Sequence, residues 1–110
     1  MKPLRVAVVG VGHLGRHHAR ILNSLPGVEL VAVADSRPEQ AAAIAESLNT
    51  LAVTDYRELI GRVDAVSIAV PTFLHREVAG AFLEAGVPAM VEKPLAGTPA
   101  EAEELVALAR

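Results

Sequence analysis

Short β-branched runs alternate along this chain with Ala- and Leu-rich stretches of helical period. Leu4 to Val9 is apolar but for Arg5 and is ended by glycine, which predicts a strand buried on both faces. From Leu14 the period changes. Leu14, His18, Ile21, Leu22 and Leu25 share one helical face, and Pro26 with Gly27 closes that helix. Val28 to Ala34 predicts the second buried strand, and Ala41, Ile44, Ala45 and Leu48 give the next helix its inner stripe. Ser36 and Glu39 are spaced for a capping box at its start. Leu51 to Val53 reads as a weak third strand, and Asp55 with Glu58 repeats the capping spacing before a short helical turn. Ala65 to Val70 is the fourth strand, stopped by Pro71. Thr72 can cap a helix with Leu74, Val78, Phe82 and Ala85 on its core face, ending at Gly86. Val87 to Val91 is the fifth strand. Thr98, Pro99 and Glu101 then open a last helix with Ala102, Leu105, Val106 and Ala109 inward.

Buried, non-alternating strands interleaved with helices predict an α/β fold: a doubly wound, mostly parallel five-stranded sheet with helices on both faces. The expected unit is one domain, residues 1–110, and a usual sixth strand would come next. That absence suggests a domain cut from a longer protein. It would also leave strand five as an edge, where self-association or strand swapping is expected.

Composition narrows the chemistry. At 110 residues and 52% hydrophobic, the chain can bury a core without staples. A net charge of −3 offers no basic footprint for nucleic acid or an anionic membrane. No apolar run approaches the ~20 residues of a spanning helix, and the N-terminus lacks a secretory apolar core. With no cysteine there is no disulfide framework or thiolate metal site, so a cytoplasmic protein is expected. The histidines form a poor chelate. His17 and His18 are adjacent, and His13 and His17 have no third ligand nearby, so no metal is expected.

Between the first strand and the first helix stands G-V-G-H-L-G, with Gly10, Gly12 and Gly15. In such a loop the first glycine permits the tight turn, and the second removes a side chain where a pyrophosphate approaches. The third lets the helix pack closely on the strand. Free N–H groups at the helix N-terminus then receive the phosphate charge. Asp35 ends the second strand 20 positions past Gly15, where a carboxylate can accept hydrogen bonds from both ribose hydroxyls and repel a 2′-phosphate. Asp35 thus favours NAD. Ser36 and Arg37 follow at once, and Arg37 can pair with a phosphate, so NADP stays open. His13 and Leu14, inside the loop, are expected among the cofactor contacts, although His13 can equally face solvent.

Two further segments fall at carboxyl ends of strands, where open α/β sheets bind ligands. They are V-P-T-F-L-H from Val70 to His75, and V-E-K-P from Val91 to Pro94. Lys93 is one of only two lysines. It can donate to a substrate oxygen or act as general acid/base, or it can be an ordinary strand-end lysine paired with Glu92.

The glycine loop, the Asp35 strand end, V-P-T-F-L-H and above all V-E-K-P together resemble the N-terminal Rossmann domain of the Gfo/Idh/MocA oxidoreductases. Glucose–fructose oxidoreductase and inositol dehydrogenase typify that family. The resemblance spans essentially the whole chain. It implies a catalytic or substrate-orienting role for Lys93 beside the nicotinamide, with Glu92 and Pro94 positioning it. It also implies that Val70, Pro71, Thr72 and His75 line the nicotinamide end, with Thr72 standing where asparagine is frequent. The implied reaction is hydride transfer between NAD(P) and a secondary alcohol of a sugar, polyol or nucleotide sugar. The larger C-terminal domain that completes the substrate pocket in the family is absent, so the chain alone is expected to bind cofactor without efficient turnover. A non-catalytic dinucleotide-sensing module is the alternative.

Overall fold

A computed structural model of the chain describes residues 3–70 and 75–91. The elements follow in strict alternation: β1 (Leu4–Val9), α1 (His13–Ser24), β2 (Val28–Ala34), α2 (Pro38–Leu48), β3 (Leu51–Val53), a 3₁₀ turn (Tyr56–Leu59), β4 (Ala65–Ile68), α3 (His75–Glu84) and β5 (Ala89–Val91). All four neighbouring strand pairs are parallel, and the order across the sheet is β3-β2-β1-β4-β5. That is the order of a doubly wound dinucleotide-binding sheet.

β1 is central, and its alternate residues feed two cores. Val6 and Val8 pack with Ala19 and Leu22 of α1 and Ile44 and Ala45 of α2. Ala7 and Val9 pack on the other face with Leu59, Val78 and Phe82. A sheet covered on both faces buries both faces of its central strand, hence the unbroken apolar stretch Val6–Val9, while Leu4 and Arg5 at the start of β1 stay partly or fully exposed. The β1–β2 register slips by one residue between Val6 and Ala7, so that Val31 is the extra residue of β2. Leu30 accordingly belongs to the α1/α2 core, whereas Val31 and Ala32 both turn to the α3 core, and Val33 returns to the first.

Several boundaries differ from expectation. β4 ends at Ile68, and β5 begins at Ala89 instead of Val87, because ladder pairing spans only Val66–Ile68 against Ala89–Val91. The expected Ser36–Glu39 capping box does not form. α2 starts at Pro38 with Arg37 in the cap position, since proline suits the first helical turn and its missing N–H costs nothing there. Asp55 does cap its turn, accepting from the Arg57 N–H at 3.0 Å. The Thr72 cap and the helix expected after Thr98 lie outside the described residues. No described helix is long and apolar enough to cross a membrane.

Candidate functional site

The carboxyl ends of β1, β2, β3 and β4 converge on one cleft of about 640 Å³. Ladder-like bonds carry the strands into it: Gly10 N–H donates to Ala34 O at 2.6 Å, and Ala69 N–H to Val9 O at 2.7 Å. Gly10, Gly12, Asp35, Ser36, Arg37 and Val70 all line this cleft. These expected site residues come from three separate segments, and the fold brings them together.

Each glycine of the loop has a different reason to be one. Gly10 has φ +90°, and a Cβ there would also sit 2.7 Å from the Ala69 carbonyl oxygen. Gly15 is buried beneath the loop. A Cβ on it would collide with the Gly10 carbonyl oxygen and lie 2.7 Å from the carbonyl carbon. Gly12 is the opposite case: the nearest atom to an added Cβ is Arg37 Nη2, at 3.7 Å. Among the described residues nothing forbids a side chain at Gly12, and the space it leaves open belongs to the cleft. A side-chain-free position of that kind, opening a helix, fits the close approach of a pyrophosphate.

Asp35 is buried, with 8% of its surface exposed, and its carboxylate accepts four hydrogen bonds. Oδ2 takes the Val11 N–H at 3.1 Å and Arg37 Nη2 at 3.0 Å; Oδ1 takes the Arg37 N–H at 2.9 Å and Nε at 3.0 Å. Burial alone would raise the carboxyl, but bonds from the Arg37 side chain, the Arg37 backbone and the Val11 backbone outweigh it and hold the group below its ordinary 3.8. The same bond raises Arg37. A carboxylate offers about four acceptor directions, so all are in use. A ribose hydroxyl that binds Asp35 must displace a donor, and the guanidinium, with 62% of its side chain exposed, is the donor free to leave.

The remaining expectations divide. His13, Leu14 and His75 are placed only as backbone, in the first turns of α1 and α3. Pro71, Thr72, Glu92, Lys93 and Pro94 lie outside the described residues. His17 is exposed beside Arg20, whereas His18 is fully buried, with Nδ1 2.7 Å from Ser67 Oγ of β4.

Four further residues at the site were not singled out from the sequence. Thr54, Tyr56 and Glu77 also line the cleft. Tyr56 is held there by a tilted contact with Phe82, at 5.9 Å between ring centroids. Thr54 follows directly on β3, so the strand-end rule applied to that short strand would have found it. Gln40 is the fourth: from α2 its Nε2 donates to the Val11 carbonyl at 2.6 Å. No local pattern marks that bond, which joins residues 29 positions apart.

Comparison with known proteins agrees with this geometry. The family described as "Oxidoreductase family, NAD-binding Rossmann fold" matches residues 4–110. The UDP-N-acetylglucosamine 3-dehydrogenase of Acidithiobacillus ferrooxidans is 39% identical over 107 residues, which is 97% of this chain and 34% of that protein. Its solved structure superposes with a TM-score of 0.79 over 99% of this chain and 36% of its own. The D-glucoside 3-dehydrogenase of Escherichia coli K12 is 41% identical over 112 residues, covering 98% of this chain and 32% of that enzyme. GenD2 from gentamicin A biosynthesis, solved in complex with NAD, superposes with a TM-score of 0.81 at 32% identity, over 99% of this chain and 32% of its own. The chain thus spans about a third of the length of the curated relatives it matches. With the strand order of the fold, the glycine loop against its cleft and the family pattern matched from Leu4 to Arg110, the chain belongs to the Gfo/Idh/MocA oxidoreductases as an NAD-binding Rossmann domain.

Proposed function

We propose that residues 1–110 form the dinucleotide-binding domain of a dehydrogenase that moves a hydride between nicotinamide and a secondary alcohol carbon. The substrate class is a sugar, polyol or nucleotide sugar, as the names of the relatives support. One observation carries the reading: the buried Asp35 carboxylate and the side-chain-free Gly12 line the same cleft at the carboxyl ends of the strands.

NAD supplies the hydride-accepting ring. The chain's own residues bind and orient it. The N-terminus of α1 offers N–H groups and the positive end of its dipole to the pyrophosphate, across the space left at Gly12. Asp35 accepts the ribose hydroxyls once the Arg37 guanidinium swings out, and Ser36, beside it on the cleft wall, is within the same reach. Tyr56 and Val78 give the adenine an apolar wall. Gly10 and Gly15 hold the turn, His13 and Leu14 flank it, and Val70, Pro71, Thr72 and His75 line the nicotinamide end. Lys93, positioned by Glu92 and Pro94, holds the alcohol oxygen and exchanges its proton. NAD is preferred through Asp35, and Arg37 provides the route by which NADP is accepted. The whole protein is cytoplasmic, whereas this chain by itself associates through β5, an outer strand of the described sheet.

Calorimetric titration of this chain with NADH and with NADPH tests the reading. Binding of NADH, more tightly than NADPH, is expected; a folded chain that binds neither dinucleotide refutes it. Sugar-dependent NADH production by this chain alone should be negligible. In the full-length protein, Lys93→Ala should abolish turnover while leaving NADH affinity intact. Light scattering at high concentration should give a mass above the monomer.

A further inference from the structure

The central segment of the glycine loop is held from outside, by two side chains of the β2–α2 unit. Val11 is fully buried; its N–H donates to Asp35 Oδ2 at 3.1 Å, and its carbonyl accepts from Gln40 Nε2 at 2.6 Å. The two bonds act on different peptide groups. Asp35 holds the Gly10–Val11 peptide, and Gln40 holds the Val11–Gly12 peptide. A trans peptide is planar, with its N–H antiparallel to its C=O, and every peptide of the described chain is trans. Fixing the Val11 carbonyl against Gln40 therefore fixes the direction of the Gly12 N–H, which points away from α2. Gly12 is also the cap residue of α1 and a lining residue of the cleft, whereas Gln40 does not line it.

We infer that Gln40 is a positioning residue for the pyrophosphate. It touches no cofactor, but by gripping the Val11 carbonyl it aims the Gly12 N–H at the phosphate side of the loop. The side-chain amide is the right group for this task. It supplies a donor to a carbonyl, which a carboxylate of the same shape does not, and half-burial on α2 shields the bond from water. The consequence is that α2, which contributes nothing to the cleft wall beyond its cap residue, still sets the geometry of the loop. The inference rests on the dinucleotide reading above.

Gln40→Met and Gln40→Glu test it through two measurements on this chain. The first is the amide chemical shift and hydrogen-exchange rate of Gly12 in the ligand-free protein. The second is affinity for NADH and for ADP, with the melting temperature as a control. Both variants should move the Gly12 amide signal and speed its exchange, and should weaken NADH and ADP on the order of tenfold. The strand amides of β1 should stay near those of the unaltered chain, and the melting temperature should fall by no more than about 10 °C, the cost of one lost hydrogen bond. An unmoved Gly12 amide overturns the clamp, and so does a moved amide with unchanged NADH affinity. A loss of affinity accompanied by general loosening of β1 or by a large fall in melting temperature overturns it as well, since that is a folding defect. Should the unaltered chain bind neither NADH nor ADP, the dinucleotide reading fails, and the Gly12 amide still reports on the clamp by itself.

Discussion

Adding one methyl group at Gly15 and one at Gly12 should separate a folding role from a binding role within a single loop. At Gly15 the new Cβ overlaps the Gly10 carbonyl oxygen, stands 2.7 Å from the carbonyl carbon and 3.1 Å from the Ala69 Cβ. Ordinary carbon–carbon contact begins near 3.5 Å, so α1 must retreat from β1 by roughly 0.8 Å or more to relieve the carbon contact alone. The nearest obstructing atoms are the Gly10 backbone, just past the carboxyl end of the central strand, and cannot rotate away. Such a retreat opens gaps around Ala19 and Leu22, both fully buried against β1. Overpacking against backbone costs about 3 kcal/mol, and in a domain of this size that lowers Tm by about 10–20 °C. At Gly12 the same methyl meets, among the described residues, only Arg37 Nη2 at 3.7 Å, at an ordinary φ of −73°. The loss there is that of a poorer cap residue, below about 1 kcal/mol, but the methyl occupies the space a pyrophosphate needs. Thermal denaturation followed by circular dichroism, with NADH titration of each variant, gives both numbers. Gly15→Ala should melt early. Gly12→Ala should melt near the parent and bind NADH at least tenfold more weakly. The reasoning is refuted if Gly15→Ala melts with the parent, or if Gly12→Ala keeps full NADH affinity.

The two Asp-x-Arg forks give a matched pair. Asp35→Asn should cost about 2 kcal/mol, since it weakens charge-assisted bonds to a buried group, whereas the exposed Asp55→Asn should leave Tm within a degree or two by calorimetry. Because the Asp35 carboxyl is held below its ordinary value, its contribution is complete above about pH 4 and is lost as pH falls through the lowered native value. Acid titration of Tm should therefore fall less steeply below pH 4 in Asp35→Asn than in the parent; identical slopes would refute the assignment. Arg37→Ala should raise NADH affinity, by freeing acceptor sites on Asp35, and lower NADPH affinity, so the ratio of the two affinities measured by calorimetry should rise. Ser67→Ala removes the buried hydroxyl that meets His18 Nδ1 and should cost about 1–3 kcal/mol in urea denaturation without altering NADH affinity.

Much of this protein is local and therefore legible along the chain. The period of the apolar residues decided which segments are strands and which are helices, and the continuous apolar stretches Val6–Val9 and Leu30–Ala34 already required helices on both faces. Gly10, Gly12 and the acid that ends the second strand, Asp35, mark the cleft by their spacing alone, and Gly15 marks the close packing beneath the loop. The Asp-x-Arg forks are local too. Asp35 and Asp55 make nearly the same three bonds to the arginine two residues on, because that geometry needs only a turn.

What distinguishes the two forks is tertiary. Asp35 alone reaches the Val11 N–H, 24 residues away, and it does so after the register slip at Val31 has changed which face of the sheet the end of β2 presents. A slip of one residue reverses every side chain beyond it, and no spacing in the sequence announces it. Gln40 and His18 were hidden for the same reason. Each finds its partner across 29 and 49 residues, on an element whose position depends on how α1 and α2 pack over the sheet. The boundary of α2 shows the converse. Ser36 and Glu39 carried a capping signal, but Pro38 set the helix start, and the nearby Asp35 carboxylate took the Arg37 N–H. Propensity and period follow from covalent chemistry and are written in order along the chain, whereas register and long-range hydrogen bonds depend on the relative placement of finished elements, which only packing decides.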